Sequence, residues 1–223
     1  MINIAIDGPG GAGKSTVARA LAEKLGIMYL DTGAMYRAAA LKAFDCKTDV
    51  KDASAVEKLT ENLDIEVRYA NGEQKIFLDG KDVSKRIREH FVSALASDIS
   101  AVPALRLRLV DLQRAAAEKF DCVLDGRDIG SFVLPDATLK IYLTADVRVR
   151  ARRRTAELES RGQKAAFESV LEDLETRDRN DMTRAFAPLK KAEDAVIVDS
   201  TDMTVDEVVD KIEKMLKQRL TEI

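Results

Sequence analysis

The chain has 223 residues and a net charge of −3, a length that fits one generous domain or two small ones. This charge excludes a global basic field for nucleic acids, and no apolar run approaches the roughly 18 residues that a membrane-spanning helix needs. The N-terminal segment also lacks the basic start and long apolar stretch of a secretory signal. We therefore expect a cytoplasmic protein that binds neither nucleic acid nor membrane.

Histidine and cysteine are scarce. The chain contains a single histidine, His90, and two widely separated cysteines, Cys46 and Cys122. A metal site built from several histidines is impossible, and the cysteines form no zinc-binding spacing. We do not expect acid–base chemistry centred on histidine.

The first fifty residues alternate between strand and helix patterns. Residues 2–6 form a short apolar strand, followed at once by a glycine cluster. From Lys14 onward apolar residues recur every four positions, which predicts a helix that ends at Gly26. Residues 27–30 are predicted as a second strand and 34–44 as a second helix. Strands and helices at such short intervals predict parallel crossovers and an α/β layered fold.

A different pattern occupies residues 64–83. Apolar and charged residues alternate there, and the pairs Asn71-Gly72 and Asp79-Gly80 interrupt the alternation. Such pairs between β-rich runs are strong signals for hairpin turns. We therefore predict a small antiparallel meander inserted into the α/β core.

The rest of the chain returns to strands and helices. Helices are predicted at 83–100, at 103–119 with Pro103 in the first turn, and at 146–180 as two charged helices joined near Gly162. A C-terminal helix is predicted to begin with the capping box Thr204-Val205-Asp206-Glu207. Its inward-facing residues are predicted to be Val205, Val208, Val209, Ile212 and Leu216. Strands are predicted at 122–124, at 139–143 and, as a last buried strand, at 195–198. Because no repeat or linker interrupts the chain, we expect a single domain over residues 1–223.

The glycine cluster after the first strand has the pattern G-x-x-x-x-G-K-[ST]. Its residues, with the threonine that follows, are Gly8, Pro9, Gly10, Gly11, Ala12, Gly13, Lys14, Ser15 and Thr16. Glycines let successive backbone N–H groups point at an anion, and the N-terminus of the next helix adds positive potential. Lys14 can reach the β- and γ-phosphates of ATP, and the Ser15 hydroxyl is placed to ligate Mg²⁺. The segment is predicted to be an ATP-binding P-loop.

The same glycines fit a second pattern. Gly8, Gly10 and Gly13 satisfy G-x-G-x-x-G, and Asp31 lies near the position of the ribose-binding acid of dinucleotide folds. Lys14 and Ser15 directly after the last glycine favour the P-loop, because a dinucleotide site needs neither a cation nor a magnesium ligand there. A dehydrogenase remains the remote alternative.

A P-loop does not reveal where the phosphate goes. The chain lacks the Asn-Lys-x-Asp base reader of GTPases and has no room for the extra domains of motor proteins, which leaves a small kinase. Two like charges 4 Å apart repel by about 4 kcal/mol at an effective dielectric near 20, and arginines are the natural counter-ions for two phosphates. The candidate arginines are Arg37, Arg127, Arg148, Arg150, Arg152, Arg153, Arg154, Arg177, Arg179 and Arg184.

The arginine cluster at 148–154 has two interpretations. It can be a solvated helix face paired with Glu157 and Glu159, or a mobile lid that closes over ATP. The P-loop in the same chain favours the lid. A phosphate acceptor is already an anion and needs no general base, which agrees with the scarcity of histidine.

Four segments resemble the bacterial cytidylate kinases. They are Gly8 to Thr16, Leu30-Asp31-Thr32-Gly33-Ala34-Met35-Tyr36-Arg37, Asp125-Gly126-Arg127-Asp128-Ile129-Gly130 and Arg184-Ala185-Phe186-Ala187-Pro188-Leu189. The similarity runs in order along nearly the whole chain. It implies transfer of the ATP γ-phosphate to CMP or dCMP by a Mg²⁺-dependent monomer with the nucleoside monophosphate kinase fold. It also implies a monophosphate-binding region at 32–106, with the insert at 64–83, and a lid at 146–184.

The resemblance further implies a role for each matching residue. Arg37, Arg127 and Arg184 would hold the acceptor phosphate, and Arg153 and Arg177 would be lid arginines at the transferring phosphates. The expected catalytic residues are Lys14, Arg127, Arg153, Arg177 and Arg184. Ser97, Arg106 and Asp128 would read the cytosine, Asp181 would bind the sugar hydroxyl, and Thr32 would donate a hydrogen bond to the substrate. Ser15 and, through water, Asp125 would hold Mg²⁺; a purely structural role for Asp125 is the alternative.

The chemistry of cytosine agrees with these roles. An aspartate accepts from the C4 amine, while arginine and serine donate to the ring. Uracil places a carbonyl against the carboxylate, at a cost of about 1–3 kcal/mol. The alternatives are a kinase for UMP, AMP or shikimate, and a P-loop module that binds nucleotide without transferring phosphate.

Overall fold

The computed structural model describes residues 1–70, 73–160 and 162–221. In chain order the elements are β1 (Asn3–Asp7), α1 (Lys14–Leu25), β2 (Met28–Asp31), α2 (Thr32–Asp45), α3 (Ala53–Glu61), β3 (Ile65–Ala70), β4 (Glu73–Leu78), β5 (Lys81–Asp82), α4 (His90–Ile99), α5 (Pro103–Ala117), β6 (Cys122–Gly126), β7 (Leu139–Thr144), α6 (Val147–Ser160), α7 (Phe167–Thr183), β8 (Val196–Asp199) and α8 (Val205–Thr221). Two compact units result: Met1–Tyr29 with Phe120–Ile223, and Leu30–Lys119.

The first unit is built on a five-stranded sheet with the strand order β2-β6-β1-β7-β8. The central strand β1 pairs in parallel with β6 and β7, so that Ile4 lies opposite Val123 and Leu139. Ile4 and Ile6 are fully buried, as an apolar run in a sheet covered on both faces requires. The parallel α/β arrangement predicted from the first fifty residues is confirmed.

The last strand differs from its prediction. We expected a buried strand at 195–198, but β8 begins at Val196 and only Val198 is buried. Its position at the edge of the sheet explains the difference, because β8 pairs with β7 on one side and leaves Val196 and Ile197 exposed.

Helix α8 packs against α1 and β7. It begins with a capping box, in which the Glu207 carboxylate accepts from the Thr204 N–H at 2.8 Å, as predicted. Val208, Val209, Ile212 and Leu216 are buried in the core with Val17 and Leu21 of α1. Val205, which the pattern also placed inward, is exposed because it lies at the first turn.

The two charged helices predicted at 146–180 are α6 and α7. They pack on each other through a small apolar cluster of Ala151, Leu158, Val170 and Leu174. The connection between them contains Gly162 with a left-handed backbone, φ 74°. These helices carry most of the chain's clustered arginines.

The second unit contains the predicted antiparallel meander. Strands β3, β4 and β5 form a three-stranded sheet, in which Tyr69 lies opposite Gln74 and Leu78 opposite Lys81. Asp79 and Gly80 both have positive φ, which is the backbone of the predicted tight turn. The other predicted turn, Asn71-Gly72, lies outside the described residues.

One helix prediction in this unit is partly wrong. We expected a helix over 83–100, but the chain forms a separate 3-10 turn at Arg86–Arg88 and α4 begins at His90. Glu89 has an extended backbone, ψ 145°, which interrupts the helix. Helix α5 does begin with Pro103. Among the helices of the described residues, none is both long and apolar enough to cross a membrane.

Candidate active site

The glycine-rich loop between β1 and α1 is held close to a neighbouring strand. Gly8 has φ 147°, and a Cβ at this position would lie 1.9 Å from the backbone oxygen of Leu143 in β7. Gly13 has φ 88° and is the N-cap of α1, where none of the described side chains supplies a capping bond. The first N–H groups of α1 are therefore without a side-chain cap, which suits a bound anion.

Lys14 is buried at the start of α1. Its ammonium donates to the Pro9 carbonyl at 2.7 Å. Burial, followed by the positive charge of Arg127, lowers the pKa of Lys14 to about 7. A polyanion would supply the negative charge that this buried amine lacks.

Sequence reasoning missed the role of Asp7 at the end of β1. Its carboxylate accepts from the N–H groups of Ile129 and Gly130, each at 2.7 Å. These residues begin a π-helical turn, Ile129–Val133, that directly follows Arg127 and Asp128. Asp7 therefore ties the strand before the P-loop to the turn that directly follows two predicted substrate-binding residues. A signal was present in the sequence: a carboxylate at the end of a buried strand needs a partner.

Asp125 lies at the end of β6, beside the P-loop. One of its oxygens accepts from the Ser15 hydroxyl at 2.7 Å, and the other accepts from the Tyr29 hydroxyl at 2.9 Å. Hydroxyl and carboxylate oxygens are the donors that Mg²⁺ prefers, so this pair fits the predicted metal role. Within the described part of the chain no group of three His, Cys, Asp or Glu side chains could hold a metal ion. A magnesium ion here would take its other ligands from water and phosphate oxygens.

Four predicted acceptor-binding residues meet in one network of the first unit. Arg127 donates to Asp181 at 2.7 Å. Arg184 lies 3.3 Å from Asp128 and 3.8 Å from Asp181. Both aspartates are buried. A Cβ at Gly10 would lie 3.8 Å from the Arg127 guanidinium, so this network reaches the P-loop.

The two predicted lid arginines have different surroundings. Arg153, on α6, donates to the hydroxyl and carbonyl of Ser200 at 3.1 and 2.6 Å. Arg177, on α7, has its pKa lowered, chiefly by burial and then by the charge of Arg154. Arg177 is thus a cation near other cations, whereas Arg153 is bonded to the segment that follows β8.

A further arginine, Arg150 on α6, was predicted only as a member of the arginine cluster at 148–154. It is buried, donates to the Gly10 carbonyl at 2.8 Å and pairs with Asp178 at 2.7 Å. Asp178 in turn accepts from the Gly10 N–H at 3.3 Å. The pair therefore holds both ends of one P-loop residue. Sequence alone could not single out Arg150, because which arginine of a charged helix is buried depends on how the helix packs.

The remaining predicted residues lie in the second unit. Asp31 caps α2, accepting from the Ala34 N–H at 2.8 Å, and accepts from Arg37 at 2.8 Å. The buried Arg37 Nε has no hydrogen-bond partner among the residues that the structure describes. Thr32 is buried in the first turn of α2. Arg37 thus combines one fixed carboxylate partner with an unsatisfied donor, which suits an anion.

Arg106, on α5, is almost fully buried for so large a cation. It donates to the Ser100 carbonyl at 3.1 Å, and its guanidinium carbon lies 5.2 Å from the centre of the Tyr36 ring. Ser97 is half-buried on α4, and its carbonyl accepts from the Ser100 hydroxyl at 2.8 Å. Ser100 therefore contacts both predicted cytosine-reading residues of this unit.

Comparison with known proteins identifies close relatives. The family model described as cytidylate kinase matches residues 4–218. A cytidylate kinase of Caldicellulosiruptor saccharolyticus is 46% identical over 95% of this chain and 93% of its own. One of Pelotomaculum thermopropionicum is 49% identical over 94% and 93%. An uncharacterised protein of Eubacterium ventriosum, known from a crystal structure, shares the fold with a TM-score of 0.54 at 18% identity, over 97% of this chain and 99% of its own.

Proposed function

The chain belongs to the cytidylate kinase family, and we propose that it transfers the γ-phosphate of ATP to CMP or dCMP, yielding ADP and CDP or dCDP. One observation carries the proposal beyond the family: the half-buried Arg127 lies close enough to the buried Lys14 that its positive charge lowers the pKa of Lys14. Asp7, Asp125 and Asp181 offset part of the repulsion between these two cations, and a polyanion at the P-loop would offset more of it. A triphosphate facing a phosphate acceptor supplies such a polyanion.

The donor nucleotide is bound by residues 8–16. Backbone N–H groups of the loop and of the first turn of α1 receive the β-phosphate, and Lys14 reaches the β- and γ-phosphates. Arg150 and Asp178 hold the Gly10 peptide from both sides, which keeps the loop in one conformation for the phosphates.

Magnesium would be held by the Ser15 hydroxyl directly and by Asp125 through water. When bound, it neutralises charge on the β- and γ-phosphates. Ser15 and Tyr29 each bond one oxygen of Asp125, so the carboxylate plane is fixed before the nucleotide arrives.

The acceptor phosphate is bound by Arg37, Arg127 and Arg184. Each of these cations has an aspartate partner that orients it. Because the attacking phosphate oxygen is already an anion at neutral pH, these residues align the reactants and screen their repulsion instead of removing a proton.

The nucleoside is recognised by groups matched to cytidine. Asp128 accepts from the C4 amine, Ser97 and Arg106 donate to the ring, Asp181 bonds the sugar hydroxyl and Thr32 adds a hydrogen-bond donor. We assign this recognition to the region 32–106, with its antiparallel insert at 64–83, together with Asp128 and Asp181.

Residues 146–184 act as the lid within a single kinase domain, 1–223. Arg153 and Arg177 complete the charge around the transferring phosphoryl group when the lid closes. Closure requires Arg153 to exchange its bonds with Ser200 for the phosphates. Because nearby cations disfavour the charge of Arg177, an anion bound beside it would stabilise that charge.

We further propose that the enzyme works as a monomer in the cytoplasm. All the residues assigned above lie on one chain, and both proposed substrates are metabolites of the cytoplasm. Light scattering of the purified protein with and without nucleotides tests the first point, and a mass of twice 24.6 kDa would contradict it.

An acceptor panel tests the proposed reaction. ADP release is measured with CMP, dCMP, UMP, AMP and shikimate at fixed ATP and Mg²⁺. We expect CMP and dCMP to exceed UMP by at least about fivefold in kcat/KM, because uracil turns a carbonyl toward a buried carboxylate at about 1–3 kcal/mol. Preference for any other acceptor contradicts the assignment. Slow ATP hydrolysis that no acceptor alters would instead indicate a non-catalytic nucleotide-binding module.

A further inference from the structure

Asp31 is the meeting point of four hydrogen bonds in the second unit. Its two carboxylate oxygens accept from the Ala34 N–H and from the Arg37 guanidinium, both at 2.8 Å. Its backbone N–H donates to the side-chain oxygen of Gln74 at 2.7 Å, and its carbonyl accepts from the Gln74 amide nitrogen at 3.4 Å. One residue thus connects the insert strand β4 to the arginine on α2.

The Gln74 side-chain amide makes two hydrogen bonds to the Asp31 backbone, as the backbone of a paired neighbouring strand would. It satisfies both the N–H and the carbonyl of the last residue of β2, an edge strand of the sheet. Gln74 is itself well anchored, because it lies in the β3–β4 ladder opposite Tyr69. The amide can therefore fix the position of Asp31, because the β3–β4 ladder holds Gln74 itself in place.

We propose that Gln74 is a positioning residue for the acceptor phosphate, and that the antiparallel insert sets the orientation of Arg37 through Asp31. This inference rests on the proposed function, in which Arg37 binds the phosphate of CMP. In this proposal the insert orients a phosphate-binding arginine and does not itself contact the nucleotide.

The physical reason is that Asp31 can orient Arg37 only while its own backbone is fixed. Its side chain must serve the helix cap and the guanidinium at once, which requires one backbone orientation at the junction of β2 and α2. Without the Gln74 amide, Asp31 gains freedom, and the Arg37 donors spread over a wider range of directions. A phosphate then binds more weakly, because ordering Arg37 has to occur during binding.

The test compares two ligands that differ only in the phosphate. Equilibrium binding of CMP and of cytidine is measured by calorimetry for wild type and for Gln74→Ala. We expect CMP binding to weaken by up to about tenfold, because the Arg37 side chain then has to be immobilised during binding. The affinity for cytidine and the KM for ATP should stay unchanged, because neither depends on Arg37.

Two further variants separate positioning from stability. Ser84→Ala removes a different hydrogen bond of the same insert, from the Ile76 N–H to the Ser84 hydroxyl at 3.0 Å. It should lower the melting temperature but leave CMP affinity intact. Gln74→Glu keeps the acceptor for the Asp31 N–H and loses the donor, so it should give an intermediate affinity; it supplies the same comparison if Gln74→Ala does not fold.

A double-mutant cycle with Arg37→Ala completes the experiment. If Gln74 acts through Arg37, Gln74→Ala weakens CMP binding by less than about twofold in the Arg37→Ala background. Equal losses for CMP and cytidine, or an unchanged CMP affinity in Gln74→Ala, would overturn the inference. Failure of the proposed function would look different, since the wild-type protein itself would then fail to phosphorylate CMP.

Discussion

Lys14 illustrates how a single residue is prepared for its ligand. Its amine is buried beside Arg127 and bonded to the Pro9 carbonyl, and its pKa falls to about 7. The free protein therefore carries a larger neutral fraction of this amine at physiological pH than an exposed lysine would. Bound phosphates would stabilise the charged form and raise the pKa again.

Nucleotide binding should consequently take up a proton. At pH 8 the Lys14 amine of the free protein is mostly neutral, and bound phosphates favour the charged form, so we expect net proton uptake when ATP or ADP binds. At pH 6 the amine is already charged and uptake should be near zero. Affinity should therefore fall as the pH rises above 7. Calorimetry in buffers of different ionisation enthalpy measures the uptake.

Two controls accompany this measurement. Adenosine, which has no phosphate, should bind without proton uptake, and Lys14→Met should abolish the uptake with ADP. Equal proton uptake for wild type and Lys14→Met would show that another group titrates.

Sequence reasoning succeeded at this scale wherever a residue lies in a continuous motif. Lys14 and Ser15 follow the glycines that define their surroundings. Gln74 and Arg150 carry no such signal, since each acts on a residue more than forty positions away. Their roles depend on which surfaces meet in the folded chain, and a single sequence does not encode that locally.

Helices α6 and α7 pack on each other through a small apolar cluster and the Arg150–Asp178 ion pair. Their shared cluster contains Leu158 and Leu174, while the rest of α6 is rich in arginine. A pair of charged helices with so small an apolar contact can open without disturbing the sheet.

We therefore expect Leu158→Ala to loosen this pair selectively. Removing a buried leucine costs about 2–5 kcal/mol, which is large for a four-residue cluster. Hydrogen exchange should accelerate in α6 and α7 and stay unchanged in β1 and β6. Leu220→Ala, at an exposed position of α8, is the matched control and should alter neither region. A uniform loss of protection across the sheet would contradict this independence.

The elements themselves were predicted unevenly, for reasons that the structure explains. The second turn of the meander and the capping box of α8 involve residues close in sequence, and both predictions were correct. The interruption at Glu89 and the exposure of β8 depend on tertiary packing, and the corresponding predictions were wrong. The π-helical turn after Asp128 was missed because its buried N–H groups are satisfied by Asp7, over 120 residues away.

At the scale of the whole molecule, Asp7 couples stability to pH. Burial raises its pKa to about 6 from an ordinary value of 3.8, despite two hydrogen bonds from backbone N–H groups. Between these two pH values the folded protein binds more protons than the unfolded chain. The free energy of unfolding contributed by this group therefore falls as the pH rises through that window, by about 3 kcal/mol in total.

Comparison with Asp7→Asn isolates this contribution. Urea unfolding of both proteins is measured from about pH 4 to pH 7, and the other carboxylates cancel in the difference. The stability of wild type relative to Asp7→Asn should decline by about 2 kcal/mol over this range. A difference that stays constant with pH would show that Asp7 titrates normally in the folded protein.

The aspartates beside the acceptor arginines also bear on competition from small anions. Arg37 donates to Asp31 and Arg127 donates to Asp181, while Arg184 forms an ion pair with Asp128. Orthophosphate or sulfate would have to share these guanidinium groups with carboxylates, and it has no base or ribose whose contacts could compensate. A nucleotide brings both. If these arginines bind the acceptor phosphate as proposed, their internal counter-ions would favour a nucleotide over a small inorganic anion.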